Sequence, residues 1–162
     1  MDTKDTIMEI IECIGYLTGS RRFGFAQDDA DWDYVILYRD FEKELNRKRI
    51  RIIFSDPNKE QNIPSFITTD KGIYNEGNLF RSYRIQDDSY VFNILMVWSN
   101  AELETWKEAT KIIQMLPLYL VKDKKNRTLL FEAIKQAVRT SGERSSIRKD
   151  IQREPNNEMP NL

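Results

Sequence analysis

Apolar positions fall in two rhythms along the chain, and each rhythm predicts an element. Ile7, Met8, Ile10, Ile11 and Ile14 recur at helical spacing, so Thr6–Ile14 reads as a helix. Tyr16-Leu17-Thr18 follows as a short strand that stops at Gly19-Ser20. The run from Asp33 to Tyr38 is β-branched and aromatic, suited to a buried strand. Asp40 to Asn46 reads as a helix with Asp40 as its N-cap. Ile50 to Phe54 reads as a short strand ended by Asp56-Pro57-Asn58. Between Asn58 and Asp88 the pattern is least regular. Phe66-Ile67 and Phe80–Ile85 fit strands around the turn-rich Asp70-Lys71-Gly72 and Asn75-Glu76-Gly77-Asn78.

Val91–Trp98 is a further apolar strand, and Ser99 caps a helix from Asn100 to Leu116, with Glu102 at the capping-box position and Pro117 at its end. A last amphipathic helix spans Thr128–Arg139, capped by Thr128 or Asn126. The alternation of helices and strands predicts an α+β domain, a small mixed sheet with helices packed on it, over residues 1–140. From Ser141 to Leu162, Gly, Ser, Asn, Pro and charge dominate, which predicts a basic, mobile tail with at most one short helix.

Composition narrows the chemistry. The 162 residues contain no histidine and a single cysteine, Cys13, so histidine-based triads and an intramolecular disulfide are excluded and a structural zinc site is strongly disfavoured. Carboxylates, Lys/Arg, hydroxyls or a hard metal ion remain. The polar, acidic start Met1-Asp2-Thr3-Lys4-Asp5 lacks a signal-peptide character, and the run Val91–Trp98 is too short to span a bilayer, so a cytoplasmic, membrane-free protein is expected. The net charge of -1 conceals a polarity. Lys122–Arg153 carries ten basic and four acidic residues, whereas Met1–Leu37 carries three basic and eight acidic ones. The basic end suits RNA, DNA or an acidic partner, or is a solvated helix and tail.

The informative stretch runs from Gly19 to Asp33: a strand, a Gly-Ser turn, a short helical segment, and a second strand opening with Asp31-Trp32-Asp33. Gly19 permits a tight turn and close backbone approach to a phosphate. Ser20 can donate to a phosphate oxygen where free N–H groups also favour an anion. Strand alternation places Asp31 and Asp33 on one face, and two such carboxylates sit together at low cost only when a cation joins them. Mg²⁺ takes one or two carboxylates plus substrate phosphates, so the turn and the pair together suit one metal–nucleotide site. Arg21 and Arg22 follow the turn directly and either neutralise a triphosphate or pair with Asp28 or Asp29. Trp32, Trp98 and Trp106 are expected to pack the core.

Gly19-Ser20…Asp31-Trp32-Asp33-Tyr34, with Gly24 and the preceding strand, resembles the signature of the nucleotidyltransferase superfamily of DNA polymerase β-like fold. In wording it is most similar to small stand-alone members, the minimal nucleotidyltransferases of the antitoxin and bacteriophage type. The resemblance covers Tyr16–Leu37. It implies a polymerase β-like fold, Asp31 and Asp33 as catalytic metal ligands for Mg²⁺ or Mn²⁺, and Gly19, Ser20, Arg21 and Arg22 at the nucleotide. It also implies transfer of a nucleoside monophosphate from an NTP to a hydroxyl of a tRNA 3′ end or a protein side chain, in an antitoxin or phage counter-defence role. Active members draw a third carboxylate from a later strand. Here Asn93 stands at that position in Val91–Trp98; it can lend a carbonyl to a metal but cannot act as a base, and Asp56 and Asp88 are the alternatives. Asn93 therefore raises a second reading, a module of the same fold that binds nucleotide, nucleic acid or a partner protein without efficient catalysis.

Overall fold

A computed structural model describes residues 2–54, 62–69 and 80–158, with side chains given as far as Glu143. Among these residues five strands form one mixed sheet: β1 (Tyr16–Thr18), β2 (Trp32–Leu37), β3 (Ile67–Thr69), β4 (Phe80–Gln86) and β5 (Val91–Val97), in the order β1-β2-β5-β4-β3. Six helices among the described residues accompany it: α1 (Thr3–Ile14), α2 (Gly19–Phe23), α3 (Tyr38–Arg47), α4 (Asn100–Met115), α5 (Leu118–Val121) and α6 (Lys124–Glu158). The class is α+β, as the two rhythms imply.

The pairing of β2 with β5 is parallel and every other pairing is antiparallel. This central pair sets which side chains share a face, because residues opposite one another point the same way. Tyr34 and Ile36 of β2, Phe92, Ile94 and Met96 of β5, and Tyr83 and Ile85 of β4 form one apolar face, covered by Ile7, Ile11, Phe41 and Leu45 of α1 and α3. Val35, Leu37, Val97 and Phe80 form the other, packed on Trp106 of α4, with Leu95 and Phe131 of α6 beside them. The sheet is thus the middle of three layers. Burying one such side chain stabilises by about 1.5–3 kcal/mol, and both faces do so along β2. That is why β2 reads as a continuous apolar run rather than an alternating one.

The ends of the elements differ from the sequence reading where capping chemistry decides. Asp2 caps α1 by accepting the Asp5 N–H at 2.8 Å, so the helix starts earlier than Thr6. Asp40 is not an N-cap: α3 begins at Tyr38 with Leu37 as cap, and Asp40 lies in its first turn, where a carboxylate favours the positive helix end. Ser99 does cap α4, accepting the Glu102 N–H at 3.1 Å. Glu102 does not close a capping box; its carboxylate goes instead to Arg139 of α6. The last helix starts at Lys124, not Thr128, with Asp123 accepting the Asn126 N–H at 3.0 Å, and it runs on to Glu158 with no break at Ser141. Ile52 and Phe54 are buried, but Ile50–Phe54 is not one of the five sheet strands. The turn sequences at residues 70–72 and 75–78, and Asp56, lie outside the described residues.

Candidate functional site

The Gly-Ser turn is fixed from both sides. Thr18, at the end of β1, is buried and its Oγ1 lies 2.7 Å from that of Thr110 on α4. The Thr110 hydroxyl donates its one proton to the Trp106 carbonyl at 2.7 Å, so Thr18 is the donor between the two. Gly19 then turns with φ +73°, a left-handed conformation, and a Cβ there would lie 2.2 Å from Asp33 Oδ2. Only glycine lets this backbone meet the carboxylate. Gly24 closes the short α2 with φ +84°, its N–H returned to the Ser20 carbonyl.

Asp33 and Asn93 stand directly opposite on the parallel pair β2 and β5, and Asp31 just precedes β2. The Asn93 side-chain amide donates to both carboxylates, at 2.9 Å to Asp33 Oδ1 and 3.1 Å to Asp31 Oδ2. One neutral group thereby holds two anions together. Burial pushes the Asp33 carboxyl above the usual carboxylate range; the Asn93 hydrogen bond opposes this, the Asp31 charge adds to it, and Lys124 draws it down. Asp33 is therefore a carboxylate short of positive charge. Hydrogen bonding to Asn93 makes up part of the deficit.

These groups open on a cavity of about 510 Å³ between the sheet and α6, a size that admits a small ligand. Its lining contains Gly19, Ser20, Asp31, Asp33 and Asn93, so the turn, the Asp-x-Asp pair and the asparagine share one cavity. Lys124, Arg127, Thr128 and Phe131 of α6 line it as well, together with Phe23 and Trp106. The ring of Phe131 lies 6.0 Å from that of Phe23 and 5.5 Å from that of Trp106, each pair tilted, giving the cavity an apolar side. Arg127 is buried and donates to the Val121 carbonyl at 2.8 Å, its guanidinium over the Phe25 ring at 4.5 Å. Lys124 is exposed, and it is the lysine of this lining.

Arg21 and Arg22 are not among the lining residues. Five residues of helix put Gly19, Ser20 and Phe23 on one side and both arginines on the other. Arg21 donates to the Ala30 carbonyl at 2.7 Å and the Asp28 carbonyl at 3.1 Å and lies over Trp32 at 4.2 Å; Asp28 and Asp29 stay exposed. Arg22 lies over Tyr16 at 5.0 Å and toward Gln114 of α4. Asp88 is exposed in the turn before β5, away from the lining. Trp106 is buried as expected and also lines the cavity, while Trp32 and Trp98 are half-buried against the core.

Lys124, Arg127 and Thr128 are the cavity residues that the chain's motifs do not reveal. Their one signal in the sequence is the excess of basic residues after Val121. Among the described residues no three His, Cys, Asp or Glu side chains cluster around a metal-sized space, so a cation here would rest on the Asp31–Asp33 pair, with the Asn93 carbonyl after its amide turns over. Two carboxylates and a carbonyl are hard oxygen donors, the set Mg²⁺ takes alongside substrate phosphates. No helix among the described residues is long and apolar enough to cross a membrane. Comparison with protein-family models, curated proteins and solved structures finds no match for this chain.

Proposed function

We propose that the cavity binds a nucleoside triphosphate with a divalent cation and that the chain transfers the nucleoside monophosphate to a hydroxyl of a macromolecular acceptor, RNA or protein. The observation that carries this reading is the convergence of Gly19, Ser20, Asp31 and Asp33 on one cavity that Lys124 also lines. The polymerase β-like resemblance supplies the reaction class. The cavity supplies the complementary chemistry: paired carboxylates, a lysine and apolar rings in one lining.

In the reaction the acceptor oxygen bonds to the α-phosphorus, the bond to the leaving pyrophosphate breaks, and the hydroxyl proton passes to solvent or a carboxylate. A bound Mg²⁺ or Mn²⁺ on Asp31 and Asp33 would neutralise phosphate charge and acidify the attacking hydroxyl. Ser20 and the Gly19 backbone would orient the phosphates, and Lys124 would meet the negative charge that grows on pyrophosphate. Phe23 and Phe131 would pack the nucleoside and keep water off it. Asn93 would hold the carboxylates but take no proton.

That last point favours a second reading. A neutral amide faces Asp33 where a third carboxylate would serve, and this suits a module that keeps nucleotide binding with little turnover. One experiment separates the two. Each α-labelled NTP is incubated with Mg²⁺ or Mn²⁺, total tRNA and cell extract, beside Asp31→Ala/Asp33→Ala. Label on RNA or protein that vanishes in the double variant supports transfer. Calorimetric binding without label, lost in the same variant, supports the binding module. Neither signal overturns both.

A further inference from the structure

A second pocket, of about 490 Å³, opens on the far side of β2, lined by Glu12, Trp32, Tyr34, Tyr90 and Phe92. Strand alternation turns Trp32 and Tyr34 away from the face that carries Asp31 and Asp33, so the two cavities are separate. Four of the five lining residues are aromatic and the fifth is a carboxylate. Tyr34 and Phe92 are buried and form the floor, their rings 5.4 Å apart. Tyr90 is 45% exposed and stacks on Phe92 at 5.9 Å, forming the rim, and Glu12 is exposed on α1.

The same protein shows what such a set of groups holds. Lys135 is fully buried on α6, its ammonium 3.8 Å from the centre of Trp106, 5.3 Å from Phe131 and 5.4 Å from Phe80, and 3.1 Å from the Glu132 carboxylate. Rings and one carboxylate there accommodate a cation out of water. The aromatic face is negative, and a nearby anion adds to the attraction. Trp32 also takes a cation on its ring, Arg21 at 4.2 Å, yet Arg21 is tied to two backbone carbonyls and does not line the pocket. Glu12 is the charged residue of the lining, and its sign disfavours a phosphate-bearing ligand in this pocket.

We infer that this pocket binds an alkylammonium group, as a small organic cation or as the side chain of a lysine, methylated or not, on a partner protein. The inference stands apart from the proposed nucleotide chemistry, since it uses the other face of the sheet.

The test follows the Trp32 indole N–H signal by NMR, assigned with Trp32→Phe, during titration with choline and with its neutral isostere 3,3-dimethylbutanol. Choline should shift the signal saturably and bind about ten-fold more tightly than the isostere. Glu12→Gln and Tyr90→Ala, both at exposed positions, should each weaken choline about three- to ten-fold while the unfolding midpoint stays put. A blocked trimethyl-lysine peptide that outcompetes choline assigns the cation to a protein; the reverse order assigns it to a small molecule, and either supports the site. Equal binding of the neutral isostere, an unmoved Trp32 signal, or tighter binding of adenosine would overturn it.

Discussion

Replacing Asn93 by aspartate inverts the electrostatics of the candidate site, and the structure sets the size of the effect. The Asn93 amide donates to Asp31 and Asp33 at 3.1 and 2.9 Å. Each is a hydrogen bond to a charged group, worth about 1.5–3 kcal/mol. The substitution removes both and adds a third anion. At about 3 Å and an effective dielectric of 20–80, each new repulsion costs about 1–5 kcal/mol, with the lower end fitting a site open to solvent. The two lost hydrogen bonds come to about 3–6 kcal/mol and the two repulsions at their lower end add about 2, so Asn93→Asp should lose roughly 5–8 kcal/mol without metal. Acid relieves the strain, because the added carboxyl is held above the usual range by its neighbours and a protonated carboxyl can again donate. The variant's deficit should shrink as pH falls from 7 toward the carboxylate range. A divalent cation relieves it by another route, so millimolar Mg²⁺ or Mn²⁺ should restore more stability to the variant than to the parent. Urea unfolding at pH 5 and 7, with and without metal, reads all three effects. A variant as stable as the parent at pH 7 without metal would refute the bridging role of Asn93. A deficit that metal leaves untouched would refute the Asp31–Asp33 pair as a cation site.

Further substitutions probe neighbouring parts of the argument. Asp33→Asn removes a buried charge whose folded-state pKa is raised. Stability in the parent falls as pH rises from the unfolded carboxylate value through the folded one, so this variant should be the more stable at pH 7 and lose that advantage as pH falls to the unfolded carboxylate range. An unchanged pH profile would contradict the burial of Asp33. Gly19→Ala forces a Cβ to 2.2 Å from Asp33 Oδ2 at φ +73° and should cost about 2–4 kcal/mol, measured by thermal unfolding; a neutral outcome would mean the turn can relax. Arg139→Ala strands the buried Glu102 and should cost about 3–5 kcal/mol, while Glu102→Met with Arg139→Met should restore most of it. A double variant no better than the single would show that the pair does more than neutralise itself. Lys124→Ala should weaken triphosphate binding by calorimetry, roughly ten-fold, with the fold unchanged, since its side chain is exposed.

The sheet was legible in the chain because its strands state their environment. Val35, Ile36 and Leu37 are β-branched or leucine on a strand covered on both faces, and Phe92, Ile94 and Met96 alternate with Asn93 and Leu95. The Gly-Ser turn and the Asp-x-Asp pair were legible for a different reason: each needs a residue type that few other residues can replace. Side-chain direction on α2 was less so. Arg21 and Arg22 are adjacent to the turn in sequence, but a helix rotates successive residues by about 100°, and that rotation carries both away from the cavity. The α6 contribution was hidden by distance. Asp123, Lys124 and Arg127 precede the apolar repeat that marks the helix, so periodicity places the start at Thr128, and nothing local says that this turn will face residues some ninety positions earlier. Lys135 was hidden too, as a lysine is ordinarily read as solvated.

The residues that line the candidate cavity thus come from opposite ends of the charge polarity. Asp31 and Asp33 belong to the acidic first part of the chain, and Lys124 and Arg127 open the basic last part. Folding brings the two together across about 510 Å³, so the chain's near-zero net charge is the sum of two fields that meet at the cavity. A ligand that satisfies both must carry anionic charge toward Lys124 and bring a cation to the carboxylates. A metal-bound polyphosphate has that distribution; a free cation or a free anion has half of it. Hence Mg²⁺ and NTP should bind with positive coupling, each tightening the other by the same factor. Calorimetry of each ligand with and without the other measures that factor on both sides. Independent binding would mean that the two sets of residues serve different ligands, and the nucleotide reading would fall with it.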